Sequence, residues 1–553
     1  MCGIISITGK NTRTYNEQIL DSMLGTLSKR GPNDKGTLTF PSCILGQTRL
    51  SIIDLSGGHQ PMPDNKRDMA ITFNGEIYNY RELKKELEAR GYTFSTNSDT
   101  EVILKAYQEY GDECPKHLDG MFAFAIWDNE KDELFIARDR FGKKPLYYAF
   151  DDEQNLIIAS EIKAIFASGQ IKGIVDFEAI DNYLHLLYIP PCKTVYKNIF
   201  PLLPAHTAVY KNKNLTTKRY WEIPYSSIEI SEEEAIKKTR ELLDKAVKKR
   251  MIADVEIGAF LSGGVDSSII TYLANQHTEK PIKSFSAGFE NHINELPFAR
   301  EAAQVAKTDH HELQMNVDLA NTLKKVCSYF DEPFADSSNI PQFLISEFAS
   351  KKVKVVLSGD GADELFLGYG WYWKQFITGG KERVKRLLKR QNIRQLFTFN
   401  ALGDHINYIA HINRFERFLL WKQKRNANAL FRTFFNRSER LPPIEQIEIF
   451  DLNMFLPGDI LTKVDRCSMM TSLEVRSPFL DHELVEFVFN LPLEYKTSKR
   501  DGKLILKKAY REIFGDKFLN RRKQGFSAPV QEWLKRDDFK KLIESAKAAW
   551  EIN

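Results

Sequence analysis

Three separated stretches carry side chains that could act as a nucleophile, a phosphate cradle and an acid cluster. The chain opens "MCGI", which places a thiol at Cys2. A free thiol has a pKa of about 8.5, is mostly protonated at neutral pH and needs a nearby base. If Met1 is removed, Cys2 carries the free α-amine, whose pKa of about 7.7–8.0 suits it to that role, directly or through a water. The second stretch is "FLSGGVDSS", residues 260–268. An apolar strand is expected to end at Leu261, two glycines follow, and a helix starts near Asp266. Gly263 and Gly264 let backbone N–H groups approach an anion, and the helix N-terminus adds partial positive charge. Ser262, Ser267 and Ser268 supply hydroxyl donors. Asp266 is poorly placed against a bare phosphate but suits a Mg²⁺ bridging to one. The third stretch, "VVLSGDGADELF" at 355–366, offers backbone at Ser358 and Gly359 and brings Asp360, Asp363 and Glu364 to one spot. Alone it would be an acidic turn with a helix cap. Beside a phosphate loop its carboxylates make sense if Mg²⁺ neutralises a triphosphate.

Those side chains need two kinds of scaffold. Up to about Tyr210 the sequence is rich in short apolar runs bounded by Gly, Asn or Asp, among them "DMAITFNGEIYN", "MFAFAIWD", "DELFIARD" and "NLIIAS". With a helix at "NYRELKKELEARG" they predict an α+β unit of stacked antiparallel sheets. "YKNKNLTTKRYWEIPYSS" is polar and weakly patterned and reads as a linker. The expected division is 2–212, a linker at 213–231, and 232–553. In the last of these, strands alternate with helices through "EEEAIKKTRELLDKAVKKRM", "VEIGAFLSGG", "SSIITYLANQ", "PIKSFSAGF" and "KVKVVLSGDGADE". That alternation predicts an α/β parallel sheet, followed from about Asn400 by a helical extension. In an open parallel sheet ligands gather at the carboxyl ends of the strands, where both glycine-containing loops fall.

A chain of 553 residues exceeds one ordinary core. Its 42% hydrophobic and 27% charged residues read as globular. The net charge of +4 is too balanced over this length to indicate nucleic-acid binding, and "KERVKRLLKR" fits a solvated helix face. No apolar run reaches the roughly 20 residues that span a bilayer, and no secretory signal pattern is present, so a cytoplasmic protein is expected. The six cysteines are scattered without a C-x-x-C pair, which points away from zinc sites and disulfide frameworks.

"SGGVDS" is not a Walker loop. It resembles the SGGxDS signature of ATP pyrophosphatases, which cleave ATP between its α and β phosphates. Taken with "MCGI", "KRGPND", "TRLSIID", "FNGEIYN", "SDTEVIL", "GMFAFAIWD", "ARDRFGKKPLYY", "LSGDGADE", "LTKVDRCSM", "EVRSPFLD" and "NRRKQGF", all in order, the chain resembles the glutamine-dependent asparagine synthetases over nearly its whole length. The resemblance implies a class II glutaminase of the N-terminal-nucleophile fold in front of an ATP-pyrophosphatase-type synthetase. Ammonia freed from glutamine would travel through an internal tunnel and amidate aspartate after its activation by ATP and Mg²⁺, with AMP and pyrophosphate released. The family often forms dimers.

Residue by residue, the resemblance makes Cys2 the nucleophile and the Asn74 side chain with the Gly75 N–H an oxyanion hole. It assigns Arg49 to glutamine's carboxylate, and Asp99 with Glu76 to its ammonium. Leu261 and Ala287 fall where the family touches adenosine. Ser262, Gly263, Gly264, Asp266, Ser267 and Ser268 would hold pyrophosphate and metal; the second loop's own residues put Ser358 and Gly359 beside the nucleotide and Asp363 beside the metal. Lys523 matches a lysine that supports the phosphates and the acyl-adenylate, and Asp360 an acid that takes a proton as ammonia attacks. Two departures stand out. Many members carry Glu where this chain has Asp360, which leaves a sugar acid or a peptide as an alternative acceptor. Lys29 and Asn33 replace the usual His and Asp of "KRGPND". A non-catalytic scaffold would have lost chemical positions, yet Cys2, Asn74, Asp266 and Lys523 all stand.

Overall fold

The computed structural model describes residues 1–288, 294–315, 318–372, 405, 441–521, 533–537, 540, 541 and 544. Its strands in chain order are β1 (Gly3–Thr8), β2 (Asp34–Thr39), β3 (Cys43–Arg49), β4 (Met62–Pro63), β5 (Met69–Ile77), β6 (Gly120–Asp128), β7 (Glu133–Arg138), β8 (Tyr147–Phe150), β9 (Leu156–Ala159), β10 (Ile199–Pro201), β11 (His206–Lys211), β12 (Asn214–Arg219), β13 (Ile257–Phe260), β14 (Lys283–Gly288), β15 (Asp309–Gln314), β16 (Val355–Leu357) and β17 (Glu474–Arg476). They make two six-stranded antiparallel sheets, ordered β10-β8-β9-β1-β3-β2 and β12-β11-β7-β6-β5-β4, and a parallel sheet ordered β15-β14-β13-β16-β17.

The period-two pattern of β1 explains the stacking of the first unit. Ile4 points between the two sheets, where it meets Leu45, Ala123 and Ile136. Ile5 and Ile7 point the other way, against Leu20, Leu24 and Ile165 of the covering helices Glu17–Thr26 and Ile162–Phe166. Helices Tyr80–Ala89 and Asp99–Tyr110 cover the second sheet through Leu83, Leu87, Val102 and Ile103. The result is the helix–sheet–sheet–helix layering expected of an N-terminal-nucleophile fold. Strand β12 pairs with β11 over 214–219, inside the stretch read as a linker, so this sheet runs on to Arg219.

The second unit begins with a well-specified helix, Glu232–Arg250. Ser231 caps it through a reciprocal box with Glu234, three glutamates fill its first turn, and Lys248, Lys249 and Arg250 end it. Both features complement the helix dipole. It packs with helix Val265–Gln276 on one face of the parallel sheet, around Leu243, Ala259, Leu261, Ile270 and Leu357. Phe285, Val356, Ile345 and Val464 fill the other face. The α/β reading of this unit holds, and the two glycine-containing loops leave adjacent parallel strands, β13 and β16. Much of the helical extension expected beyond Asn400 lies outside the described residues. Edge strand β17 is buried where the first unit packs on it, with Glu474 against Met1 and Arg476 against Glu76.

Candidate active site

Cys2 sits at the mouth of β1, buried between the units. Its backbone N–H donates to Asn74 Oδ1 at 2.9 Å. Asn74 lies on β5 with no exposed surface, and its Nδ2 donor has no hydrogen-bond partner among the described residues. An unspent amide donor beside a thiol is the arrangement an oxyanion needs. Gly75 follows because nothing larger fits: a Cβ there would lie 2.0 Å from the backbone oxygen of Met121 on β6. Burial raises the Cys2 thiol pKa, while the chain-terminal ammonium and Arg49 pull it back. The thiol therefore stays protonated unless a base acts on it.

Arg49, at the end of β3, donates through Nη2 to the carbonyls of Ile53 and Asp54 at 3.0 and 2.8 Å. These bonds fix its guanidinium against the turn that follows. Asp99 is the first residue of its helix and accepts from the Ile77 N–H at 3.0 Å. Burial pushes its carboxyl up to about 6. Glu76 is raised too, by burial and by Glu474 and Asp99 around it. Two buried carboxylates held at raised pKa form a site that gains from a cation.

The seam between the units is a buried ion network that sequence reasoning left without a role. Arg30 Nε donates to the Cys2 carbonyl at 3.1 Å, and its two Nη atoms grip Asp465 at 2.8 and 2.9 Å. Arg30 also reaches Glu161, which Arg466 meets at 2.7 Å. The Met1 ammonium stands 3.3 Å from Glu474 on β17, and Arg476 Nε donates to the same Glu474 at 2.6 Å. Arg30, Asp465, Arg466, Glu474 and Arg476 stood in "KRGPND", "LTKVDRCSM" and "EVRSPFLD", and Glu161 in no motif at all. A small space between Met1 and Ser477, also lined by Lys144, Val464 and Asp465, lies along this seam.

The two glycine-containing loops lie together at the carboxyl ends of β13 and β16. Gly263 has φ +74°, and a Cβ on it would come within 2.5 Å of the Ala299 nitrogen. Ser262 and Ser267 hydroxyls are 3.0 Å apart, the Gly264 N–H donates to Ser262 Oγ at 3.2 Å, and Ser268 Oγ has no partner among the described residues. Gly359 packs directly on this loop, where a Cβ would be 3.0 Å from Asp266 Cβ. Leu261, one residue past the end of β13, and Ala287 on β14 are both buried, with the Leu261 N–H bonded to the Phe285 carbonyl at 2.8 Å. The Ser358 N–H donates to the Arg476 carbonyl at 2.9 Å, tying this loop to the seam. Burial raises the Asp360 carboxyl, opposed by Ser358 and Lys463.

Lys503 was not anticipated. Its Nζ lies 2.5 Å from Asp266 and 2.7 Å from Asp363, so both acids named as metal ligands converge on one cationic point. Burial opposes that charge, but the two carboxylates outweigh it and raise the lysine pKa. It sits in the polar run "TSKRDGKLI", which reads as surface. No cluster of three His, Cys, Asp or Glu ligands occurs among the described residues. Two carboxylates beside a phosphate loop nevertheless fit Mg²⁺, which keeps several waters and takes its other ligands from phosphates. Lys523 lies outside the described residues. No described helix is long and apolar enough to cross a membrane. Of the other cysteines, Cys43, Cys114 and Cys467 are buried, but Cys327 is exposed.

Comparison with known proteins matches residues 1–221 to the glutamine amidotransferase domain and 238–551 to the asparagine synthase family. The chain is 34% identical to asparagine synthetase [glutamine-hydrolyzing] 1 of Bacillus subtilis strain 168, over 97% of this chain and 88% of that one. It is 33% identical to asparagine synthetase [glutamine-hydrolyzing] 3 of the same organism, over 97% and 89%. It is also 28% identical to the amidase chyE of Penicillium rubens, over 96% and 89%.

Proposed function

The chain belongs to the glutamine-hydrolysing asparagine synthetase family, and we propose that it moves the amide nitrogen of glutamine onto the side-chain carboxylate of aspartate at the expense of ATP. The observation that carries this reading is Arg30, which holds the carbonyl of the nucleophile Cys2 on one side and Asp465 of the synthetase unit on the other. Glutamine cleavage and amide synthesis thus share one seam.

With Met1 removed, the Cys2 nitrogen, already beside Asn74 Oδ1, becomes the base for its own thiol. The thiolate attacks the glutamine amide carbon, and the oxyanion is met by Asn74 Nδ2 and the Gly75 N–H. The protonated nitrogen leaves as ammonia, and water then hydrolyses the thioester to glutamate. Arg49 receives glutamine's carboxylate, and Asp99 with Glu76 its ammonium. Ammonia passes along the seam through the space beside Lys144 and Asp465.

In the synthetase unit, Ser262, Gly263, Gly264, Ser267, Ser268, Ser358 and Gly359 cradle the phosphates, with adenosine against Leu261 and Ala287. Asp266 and Asp363 would hold Mg²⁺, which neutralises phosphate charge when bound, and Lys503 supports the same point from the protein side. The acceptor carboxylate attacks the α-phosphate, and pyrophosphate leaves. Ammonia attacks the acyl-adenylate, Asp360 takes the proton it sheds, and AMP leaves. The test is to supply aspartate, glutamine and MgATP and assay asparagine and AMP. Absence of aspartate-dependent AMP overturns the reading. A second acceptor class, a sugar acid or peptide, draws support from Asp360 and from the similarity to the fungal amidase. A panel of carboxylates scored by pyrophosphate release separates the two.

A further inference from the structure

Asp459 is a buried carboxylate that the reaction above does not use. It sits near the end of a π-helical segment, Asp451–Ile460, which runs into helix Leu461–Met469. Such wide turns often mark functional sites. The residue is 8% exposed, and its Oδ1 has no hydrogen-bond partner among the described residues. Lys463, one turn on, is committed elsewhere: its Nζ donates to Asp336 Oδ2 at 2.6 Å. Asp336 is held in turn by the Ser338 N–H and hydroxyl at 2.9 and 2.7 Å. Glu364, 1% exposed and bonded to Tyr369, adds negative potential.

Asp459, Asp336 and Glu364 share the one ammonium of Lys463, so the group holds more carboxylates than cations and gains from a further positive charge. Burial, with Asp336 and Glu364 close by, pushes the Asp459 carboxyl up to about 8 against the pull of Lys463. A metal ion suits the place badly. It needs several ligands, and no cluster of three His, Cys, Asp or Glu exists among the described residues. An ammonium on a small molecule suits it well. Gly458 and Thr462, the chain neighbours of Asp459 and Lys463, line a cleft between the two units together with Pro190, Glu332 and Phe334. Lys463 also acts electrostatically on Asp360, so the place adjoins the amidation site.

We propose that Asp459 binds the ammonium of the acceptor, which makes the acceptor an amino acid rather than a sugar acid. This rests on the amidotransferase reading above and narrows it. The experiment compares aspartate with succinate, its analogue lacking the amine, in wild type and in Asp459→Asn, reading AMP formed with glutamine and MgATP. A charge-assisted hydrogen bond lost here corresponds to about 10- to 100-fold. Wild type should therefore favour aspartate over succinate by at least that factor in kcat/KM. Asp459→Asn should raise the KM for aspartate by the same factor, with kcat little changed and succinate use unaltered. Equal use of the two acids by wild type, which needs no variant to fold, overturns the proposal. So does an unchanged aspartate KM in Asp459→Asn. If a sugar acid is amidated and aspartate is not, the aspartate reading falls with it. If aspartate is amidated equally by both proteins, only the role of Asp459 falls.

Discussion

Arg30 and Asp465 stand 435 residues apart in the sequence and form a two-pronged ion pair, Nη1 to Oδ2 at 2.8 Å and Nη2 to Oδ1 at 2.9 Å. Arg30 has no exposed surface, and it spends its Nε on the Cys2 carbonyl. Removing one partner of a buried pair strands the other charge, at a cost of about 3–5 kcal/mol. Asp465→Asn should lower the unfolding temperature and loosen the link between the sites. Glutamate released per AMP should rise above the wild-type ratio, while synthesis from added ammonia persists. A folded variant with the wild-type ratio would show that the pair does not link the two reactions.

The two half-reactions should separate at Cys2. Cys2→Ala is expected to release no glutamate yet to make the amide from ammonium chloride. Asn74→Ala removes one oxyanion donor, for a loss of about 10²–10³ in glutaminase kcat. Steady-state glutamate assays at saturating glutamine measure both.

Gly263→Ala should damage the nucleotide site alone. Its φ of +74° penalises any Cβ, and that atom would sit 2.5 Å from backbone at Phe298 and Ala299. The conformational part alone costs about 1–2 kcal/mol. Pyrophosphate release should fall by tenfold or more while glutamine hydrolysis at Cys2 is kept, read in parallel on one preparation.

Lys503→Met leaves Asp266 and Asp363 facing each other without their shared cation. AMP formation should drop, with the largest loss at low Mg²⁺ and partial recovery as Mg²⁺ is raised, since a second cation can take the vacated point. A Mg²⁺ dependence parallel to wild type would remove Lys503 from the site.

Glutamine capture should weaken in acid. Asp99 titrates at about 6 in the folded protein because burial disfavours its charge. Above that pH it is a carboxylate and attracts the substrate ammonium; below it the proton wins. The kcat/KM for glutamine is therefore expected to fall about tenfold per pH unit below 6. Asp99→Asn should lower kcat/KM throughout and erase that limb. A limb that survives in the variant belongs to another group.

Local chemistry was readable from the sequence, and paired chemistry was not. "SGGVDSS" announces its loop because glycines, hydroxyls and an acid sit within seven letters, between strand β13 and the helix Val265–Gln276. Lys503 meets Asp266 across 237 positions and is surrounded in sequence by Ser, Lys, Arg and Asp, the signature of a solvated surface. Arg30, Asp465, Glu474 and Arg476 were visible as parts of family blocks, but burial gives them their meaning, and burial of a charge is set by what folds over it. The same holds for β12, whose letters are mostly polar and exposed and look like a linker until β11 is in place beside them.

The covered edge at β17 bears on how far the molecule can be taken apart. Glu474 and Arg476 complete their pairs with groups of the first unit, and Arg30 completes its own with the second. Cut at any loop between them, each half would expose to water the charges and the strand edge that the other half now covers. The protein houses two catalysts but is not modular at their junction, so transplanting either half onto another partner requires carrying the opposing face with it.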